Sequence, residues 1–358
     1  MDKHPHLLVF ISSHGFGHIA QTAPVLNALR KLIPGLALTI RSTAPLGQLR
    51  SRIHGEFEYL PLAGDIGMLM SSALDVRAAE SAAAYRELHG AWEARVASEA
   101  TLLRDIAPDF VLSNIGYLPL AGAQRAGIPC AAMCSLNWAD IHSHYCQDPA
   151  ITAQIHRAYA GAQAFLRLTP GMAMVDLPNR ILIDAVAEVG RNRREEINHR
   201  LGLGYEDKLV LVSLGGISGR LPIETWPRQP GVRWLVQTDW RAEHPNAVAL
   251  ESLQMEFSDL LASSDALVCK PGYGSFVEAA CSGVPALFAS RADWPESSAL
   301  TDWLKENGLC REVSRQALEG GDFATELQAM WDATRPEPVH PSGIAQAADW
   351  LAARLLPR

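Results

Sequence analysis

No apolar stretch in this chain approaches the length of a transmembrane helix, so no membrane-spanning segment is expected. The first apolar run, Leu7 to Ile11, is closely followed by His14 and is too short for a signal peptide. No C-x-x-C pair occurs among Cys130, Cys134, Cys146, Cys269, Cys281 and Cys310, and scattered free thiols point to a reduced, cytoplasmic chain. Basic clusters are missing too. The nearest to one, Arg191, Arg193 and Arg194, is followed at once by Glu195 and Glu196, and the net charge is −8. Phosphate backbones are held by clustered Lys and Arg, so nucleic acid is not expected as a partner. The His142-x-His144 pair has no cysteine or carboxylate cluster at ligand spacing beside it, so no metal site is expected.

What remains is an ordinary globular composition, 48% hydrophobic and 20% charged, over 358 residues, which is too long for one core. The first part reads as strands at 7–11, 36–40, 57–60, 110–112 and 130–134, with helices at 18–32 and 118–126 and one or two Ala-rich helices across 75–106. The pattern then repeats, with strands at 209–214, 234–236, 247–250, 266–269 and 286–289 and helices at 257–262, 275–281 and 297–306. Alternating strands and helices imply the α/β class, here two doubly wound, Rossmann-like units with parallel sheets. The join is placed at Thr169-Pro170-Gly171, which gives a first domain of 1–168 and a second of 169–342. Three prolines in 335–342 read as a linker, and the amphipathic helix in the segment 343–358 is expected to pack back on the first domain. Ligands of such folds bind at the carboxyl ends of strands, so glycine turns at 14–17 and 272–274 should face a central cleft.

These turns carry the chemistry. After the apolar strand 266–269, Gly272 and Gly274 make a turn and Ser275 is expected to open a helix, with Glu278 at capping-box spacing. A glycine turn feeding a helix N-terminus is an anion site. Backbone amides at Gly272, Tyr273, Gly274 and Ser275 could meet a diphosphate, Lys270 could supply counter-charge, and Glu278 could hold ribose hydroxyls. The bland alternatives are an ordinary βα connection, a solvated lysine and a helix cap. Gly215, Gly216 and Ser218 form a second candidate phosphate loop, or a plain connection. His18, at the start of the first helix, titrates near working pH and is a candidate general base, or simply packs there. His14 is an alternative base or sugar ligand, or a polar turn residue. The aromatic-rich stretch 137–145, with Trp138 and His142, reads as an acceptor wall or as a packed surface loop. Asp293, Trp294 and Glu296 lie near the donor sugar or in a solvent-facing loop.

Ser12-Ser13-His14-Gly15-Phe16-Gly17-His18 resembles the N-terminal glycine loop of GT-B glycosyltransferases. In pattern it is similar to the MurG-type N-acetylglucosaminyltransferases and to nucleotide-sugar hydrolases with a G-x-G-H loop. The H-G-F-G-H form also resembles the glycosyltransferase-like domain fused to plant arabinokinases. Ser213 to Gly219 resembles the glycine loop that begins their second domain, and Lys270 to Pro285 their nucleotide-sugar signature, in which a glutamate holds the ribose. The resemblance covers most of the chain in order and spacing. It implies a GT-B fold and a UDP-sugar as substrate, with no cofactor. It also implies a single inverting displacement, with His18 as base and helix N-termini, rather than metal, at the leaving diphosphate. Gly15 and Gly17 would lie with His14 near the sugars. The acceptor stays open between a small molecule, a glycan and a lipid, the last calling for peripheral membrane contact, and oligomeric state is open. MurG-type enzymes follow the signature with a glutamine and an asparagine; here the stretch is Arg291 to Ser297, so N-acetylglucosamine is not implied.

Three rivals stand beside transfer. A hydrolase would use the same His18 on water, and a silent sensor would bind UDP-sugar without turnover. An NADP oxidoreductase would use Gly15-x-Gly17-x-x-Ala20 as a dinucleotide fingerprint and Arg41 on the 2′-phosphate.

Overall fold

The computed structural model describes residues 4–72, 75–215, 220–291 and 293–356. The chain divides into two compact units. The first carries a seven-stranded parallel sheet of β1 (His6–Ile11), β2 (Ala37–Arg41), β3 (Glu58–Leu60), β4 (Phe110–Asn114), β5 (Cys130–Cys134), β6 (Ala164–Leu168) and β7 (Arg180–Ile183). Their spatial order is β3-β2-β1-β4-β5-β6-β7. Central strands β1, β4 and β5 are buried almost throughout because helices cover both faces, which is why they read as unbroken apolar runs. The order reverses between β1 and β4, the switch point where such sheets bind ligands. Register pairs Ile11 with Asn114, and the Ser12 N–H donates to the Asn114 carbonyl at 2.6 Å. The turn after β1 therefore lies directly beside the end of β4.

The second unit, built on Ala187–Pro341, has a six-stranded parallel sheet. Its strands are β8 (Lys208–Ser213), β9 (Val232–Val236), β10 (Ala247–Ala249), β11 (Ala266–Cys269), β12 (Ala286–Ala289) and β13 (Cys310–Val313). The order is β10-β9-β8-β11-β12-β13, with a switch point between β8 and β11, where Ser213 pairs with Cys269. Trp226 packs edge-to-face on both Trp234 and Phe323, each at 5.1 Å, while Phe276 meets Phe288 at 4.9 Å. Among the described residues, no helix is long and apolar enough to cross a membrane.

Several expectations are corrected. The segment Thr169-Pro170-Gly171 is not the join: the first sheet continues through β7, and the unit changes after Val186. β7 has only a three-residue apolar run, Ile181 to Ile183, of which Ile181 and Leu182 are exposed, and β13 is interrupted by the exposed charges of Arg311 and Glu312. The terminal helix Gly343–Leu355 belongs to the first unit, where Trp350 meets Phe110 edge-on at 6.1 Å and Ser342 and Gln346 hydrogen-bond Asp184. Residues 138–146 are a helix rather than a loop, because the Asn137 side chain accepts the Asp140 N–H at 2.9 Å and caps it. Ser275 does not open its helix. The helix runs Tyr273–Ser282 with extended Gly272 at its N-cap, so Ser275 and Glu278 do not form a capping box.

Candidate functional site

In the first unit, the turn between β1 and the helix Gly17–Leu32 crosses the switch point. Gly15 has φ 102°, a conformation that favours glycine, and a Cβ on Gly17 would meet nothing within 4 Å, so the helix N-terminus is open. His18, in the first turn, is buried, and its Nδ1 lies 2.8 Å from Oδ1 of Asn114 at the end of β4. An amide oxygen only accepts, so Nδ1 carries the proton and Nε2 is the basic nitrogen. The Asn114 amide is oriented in turn. Its Nδ2 donates to Gln21 Oε1 at 3.0 Å, and Gln21 Nε2 donates to Ser135 Oγ at 2.7 Å. This polar chain runs across the ends of β4 and β5 and holds one tautomer of His18. Sequence reasoning missed Asn114, which lies 96 residues from His18 and is marked by no motif.

His14 donates from Nε2 to the carbonyl of Met68 at 3.0 Å, and its ring meets Trp138 edge-on at 5.1 Å. Trp138 also lies 6.2 Å from the His18 ring. The expected acceptor wall needs correction here. Trp138 and His142 are both 0% exposed, so neither presents a face to a sugar. Trp138 instead backs both histidines and donates its indole N–H to Asp65 Oδ2 at 2.8 Å. His142 lies behind Tyr85, its Nδ1 on Thr152 Oγ1 at 2.9 Å. Burial first, then the neighbouring His89, push its titration down to about 4. Its Nε2 and the Tyr85 hydroxyl have no hydrogen-bond partner among the described residues.

Asp65 was not anticipated either. It lies in an irregular strap, 61–69, that follows β3. The strap is pinned at close quarters. A Cβ on Gly64 would come 2.6 Å from the Phe10 ring, and Gly67, at φ +63°, sits against His14. Arg41 donates to the carbonyls of Leu62 (3.3 Å) and Ala63 (2.6 Å). Asp65 also hydrogen-bonds Ser12, and removal from water by burial raises its carboxyl to about 6 despite that bond, the Trp138 bond and the Arg41 charge. The sequence signal was a carboxylate between two glycines after a strand. Arg41 itself is buried and paired with Glu99. It is committed to the strap and to that carboxylate, so the oxidoreductase reading loses its proposed 2′-phosphate ligand.

In the second unit, Gly215 follows β8 with φ 75°, and a Cβ there would lie 3.6 Å from the Lys270 side chain, so the loops after β8 and β11 touch. Gly216 and Ser218 lie outside the described residues. Burial first, then the nearby Arg291 charge, push the Lys270 ammonium down to about 8, with Glu296 acting the other way. Gly272, extended at φ −170°, leads into Tyr273, Gly274 and Ser275 as the first helical turn. Glu278, in the second turn, is 3% exposed. After β12, the Arg291 guanidinium stacks on the Trp294 ring at 4.1 Å, and the Trp294 indole N–H reaches Glu296 Oε2 at 3.3 Å. Trp294 and Glu296 are buried, whereas Asp293 is exposed. Lys270, Arg291, Trp294 and Glu296 thus gather at the carboxyl ends of β11 and β12. Among the described residues, no group of three His, Cys, Asp or Glu side chains converges to hold a metal.

No family model matches the chain. It is 24% identical over 353 residues to the L-arabinokinase of Arabidopsis thaliana, a match that covers 96% of this chain. The chain spans only 33% of that relative's length. The structure of UGT89C1 from Arabidopsis thaliana superposes with a TM-score of 0.59 and 16% identity, covering 99% of this chain and 100% of that one. The same protein has been solved in complex with UDP. A UDP-N-acetylglucosamine 2-epimerase superposes with a TM-score of 0.50 and 12% identity, covering 98% and 95% of the two chains. With two parallel α/β sheets of seven and six strands that superpose on these solved structures over nearly their whole length, the chain has the GT-B fold.

Proposed function

We propose that the chain transfers a sugar from a nucleotide diphosphate donor, UDP-linked, to an acceptor hydroxyl. The first unit holds the acceptor and the second the donor. The observation that carries the reading is His18 held by Asn114 at the switch point of the first sheet. A histidine with Nδ1–H tied down and Nε2 basic is set to take a hydroxyl proton, a contribution of about 10²–10⁴-fold. The Asn114 oxygen steadies the imidazolium as it forms, with no full charge of its own. One base and direct displacement give inversion at the anomeric carbon.

In the second unit, the amides at Gly272 to Ser275 and the Lys270 ammonium would stabilise the leaving diphosphate. Removal from water is what depresses Lys270, so an arriving anion restores its preference for the charged form. Glu278 would accept ribose hydroxyls, and Asp293, Trp294 and Glu296 would border the donor sugar. No step uses a metal. The experiment is a screen for UDP release from UDP-sugars. Acceptor-dependent release that survives EDTA and is abolished by His18→Ala supports the reading. Equal release without acceptor would mean hydrolysis, and a strict divalent-metal requirement would contradict the mechanism.

A further inference from the structure

We infer that Asp65 binds the acceptor and that the acceptor is polyhydroxylated, a sugar or polyol that offers one hydroxyl to His18 and another to Asp65. This rests on the glycosyl-transfer reading above and narrows it.

Position comes first. The strap is held by groups other than the Asp65 carboxylate. Arg41 takes the carbonyls of Leu62 and Ala63, His14 takes that of Met68, and Gly64 packs on Phe10. These contacts deliver residue 65 to the end of β1, where it bonds Ser12 and the Trp138 indole. That same indole backs His14 and His18. A base and a carboxylate therefore stand on one aromatic wall, and Asp65 keeps part of its surface open.

Chemistry then selects the acceptor. A carboxylate only accepts hydrogen bonds. A lipid chain or a flat ring with a single hydroxyl would strip its water and return nothing, which is strongly unfavourable. A second hydroxyl would replace that water with a charge-assisted bond. The carboxylate thus works both for sugars and against apolar acceptors. Its partial burial, which disfavours ionisation, is what a retained binding group looks like and not what a stabilising surface acid looks like.

The test uses the whole chain with UDP-glucose, UDP-galactose, UDP-xylose and UDP-glucuronic acid as donors. Acceptor probes are free pentoses, free hexoses and myo-inositol, set against 4-methylumbelliferone and diacylglycerol in phosphatidylcholine vesicles. UDP release should be stimulated by a monosaccharide or polyol. Asp65→Asn keeps the shape and an oxygen for Trp138, and it should raise the KM for that acceptor about tenfold. The melting shift given by UDP alone should be unchanged in the variant. Release with the phenol or the lipid but with no polyol overturns the inference, as does an unchanged acceptor KM in Asp65→Asn. So does an absence of release with the whole panel while UDP still shifts the melting temperature. If UDP gives no shift, the donor reading itself has failed, and the inference falls with it.

Discussion

Replacing Asp65 by Asn should stabilise the protein at pH 8. Desolvation by burial lifts the Asp65 carboxyl from 3.8 to about 6, with Ser12, Trp138 and Arg41 only partly opposing it. An acid raised in this way keeps its proton in the folded state at pH values where the unfolded chain has released it. Its contribution is therefore fully present below pH 3.8 and is lost as pH rises through about 6. The gap between 3.8 and about 6 corresponds to about 3 kcal/mol in full, and partial solvent access brings the effect to about 1–3 kcal/mol. Asparagine is nearly isosteric and carries no charge to desolvate. Calorimetry of both proteins from pH 5 to 8.5 reads the effect. For a unit of this size, about 1–3 kcal/mol moves the melting temperature by about 2–12 °C. Asp65→Asn should melt higher at pH 8, and the advantage should shrink toward pH 5. A difference that does not vary with pH would refute the argument. A lower melting point at pH 8 would make Asp65 an ordinary stabilising partner of Arg41.

Removing the Asn114 side chain with Asn114→Ala should lower kcat about 10–100-fold and leave UDP binding unchanged, since it releases the His18 tautomer and the Gln21 amide, both in the first unit. Asn114→Asp should move the acidic limb of the transfer profile to higher pH, because an anion beside the ring favours imidazolium. Gly67→Ala forces a side chain into φ +63° with its Cβ 2.8 Å from the His14 ring. It should cost about 1–2 kcal/mol by denaturant titration and lower acceptor-dependent turnover. His142 acts with the opposite sign to Asp65. A base depressed from 6.5 to about 4 gives stability that is full above pH 6.5 and lost as pH falls toward 4, so His142→Phe should flatten that acid limb in calorimetry.

How much of this was legible depended on burial and on distance along the chain. β5, β11 and β12 are short runs buried on both faces and bounded by turn residues, so their limits could be read to the residue. Both glycine turns follow such strands, and the alternation of elements then places them at switch points. The edge strands were hidden because β7 offers only three apolar residues, Ile181 to Ile183, and β13 is broken by Arg311 and Glu312. The start of the helix at Tyr273 was hidden because extended Gly272 ends the turn without a side-chain cap, while Ser275 offered a misleading one. Asn114 and Asp65 were illegible for another reason. Each matters through a partner far along the chain, His18 at 96 residues and Trp138 at 73 residues, and only the sheet order and the pinned strap bring them together. Trp138 misled in the reverse direction. An aromatic in a polar stretch suggests an open platform, yet the Asn137 cap turns it inward.

The most direct test of the division of labour is a UDP titration of the melting temperature in the wild type, His18→Ala and Glu278→Ala. UDP at about 100 times its dissociation constant should add about 2.7 kcal/mol to the wild type. The shift should persist in His18→Ala, whose turnover is gone, and largely vanish in Glu278→Ala. No UDP shift in the wild type, or a full shift in Glu278→Ala, would contradict the assignment of the donor to the second unit's glycine turn and helix.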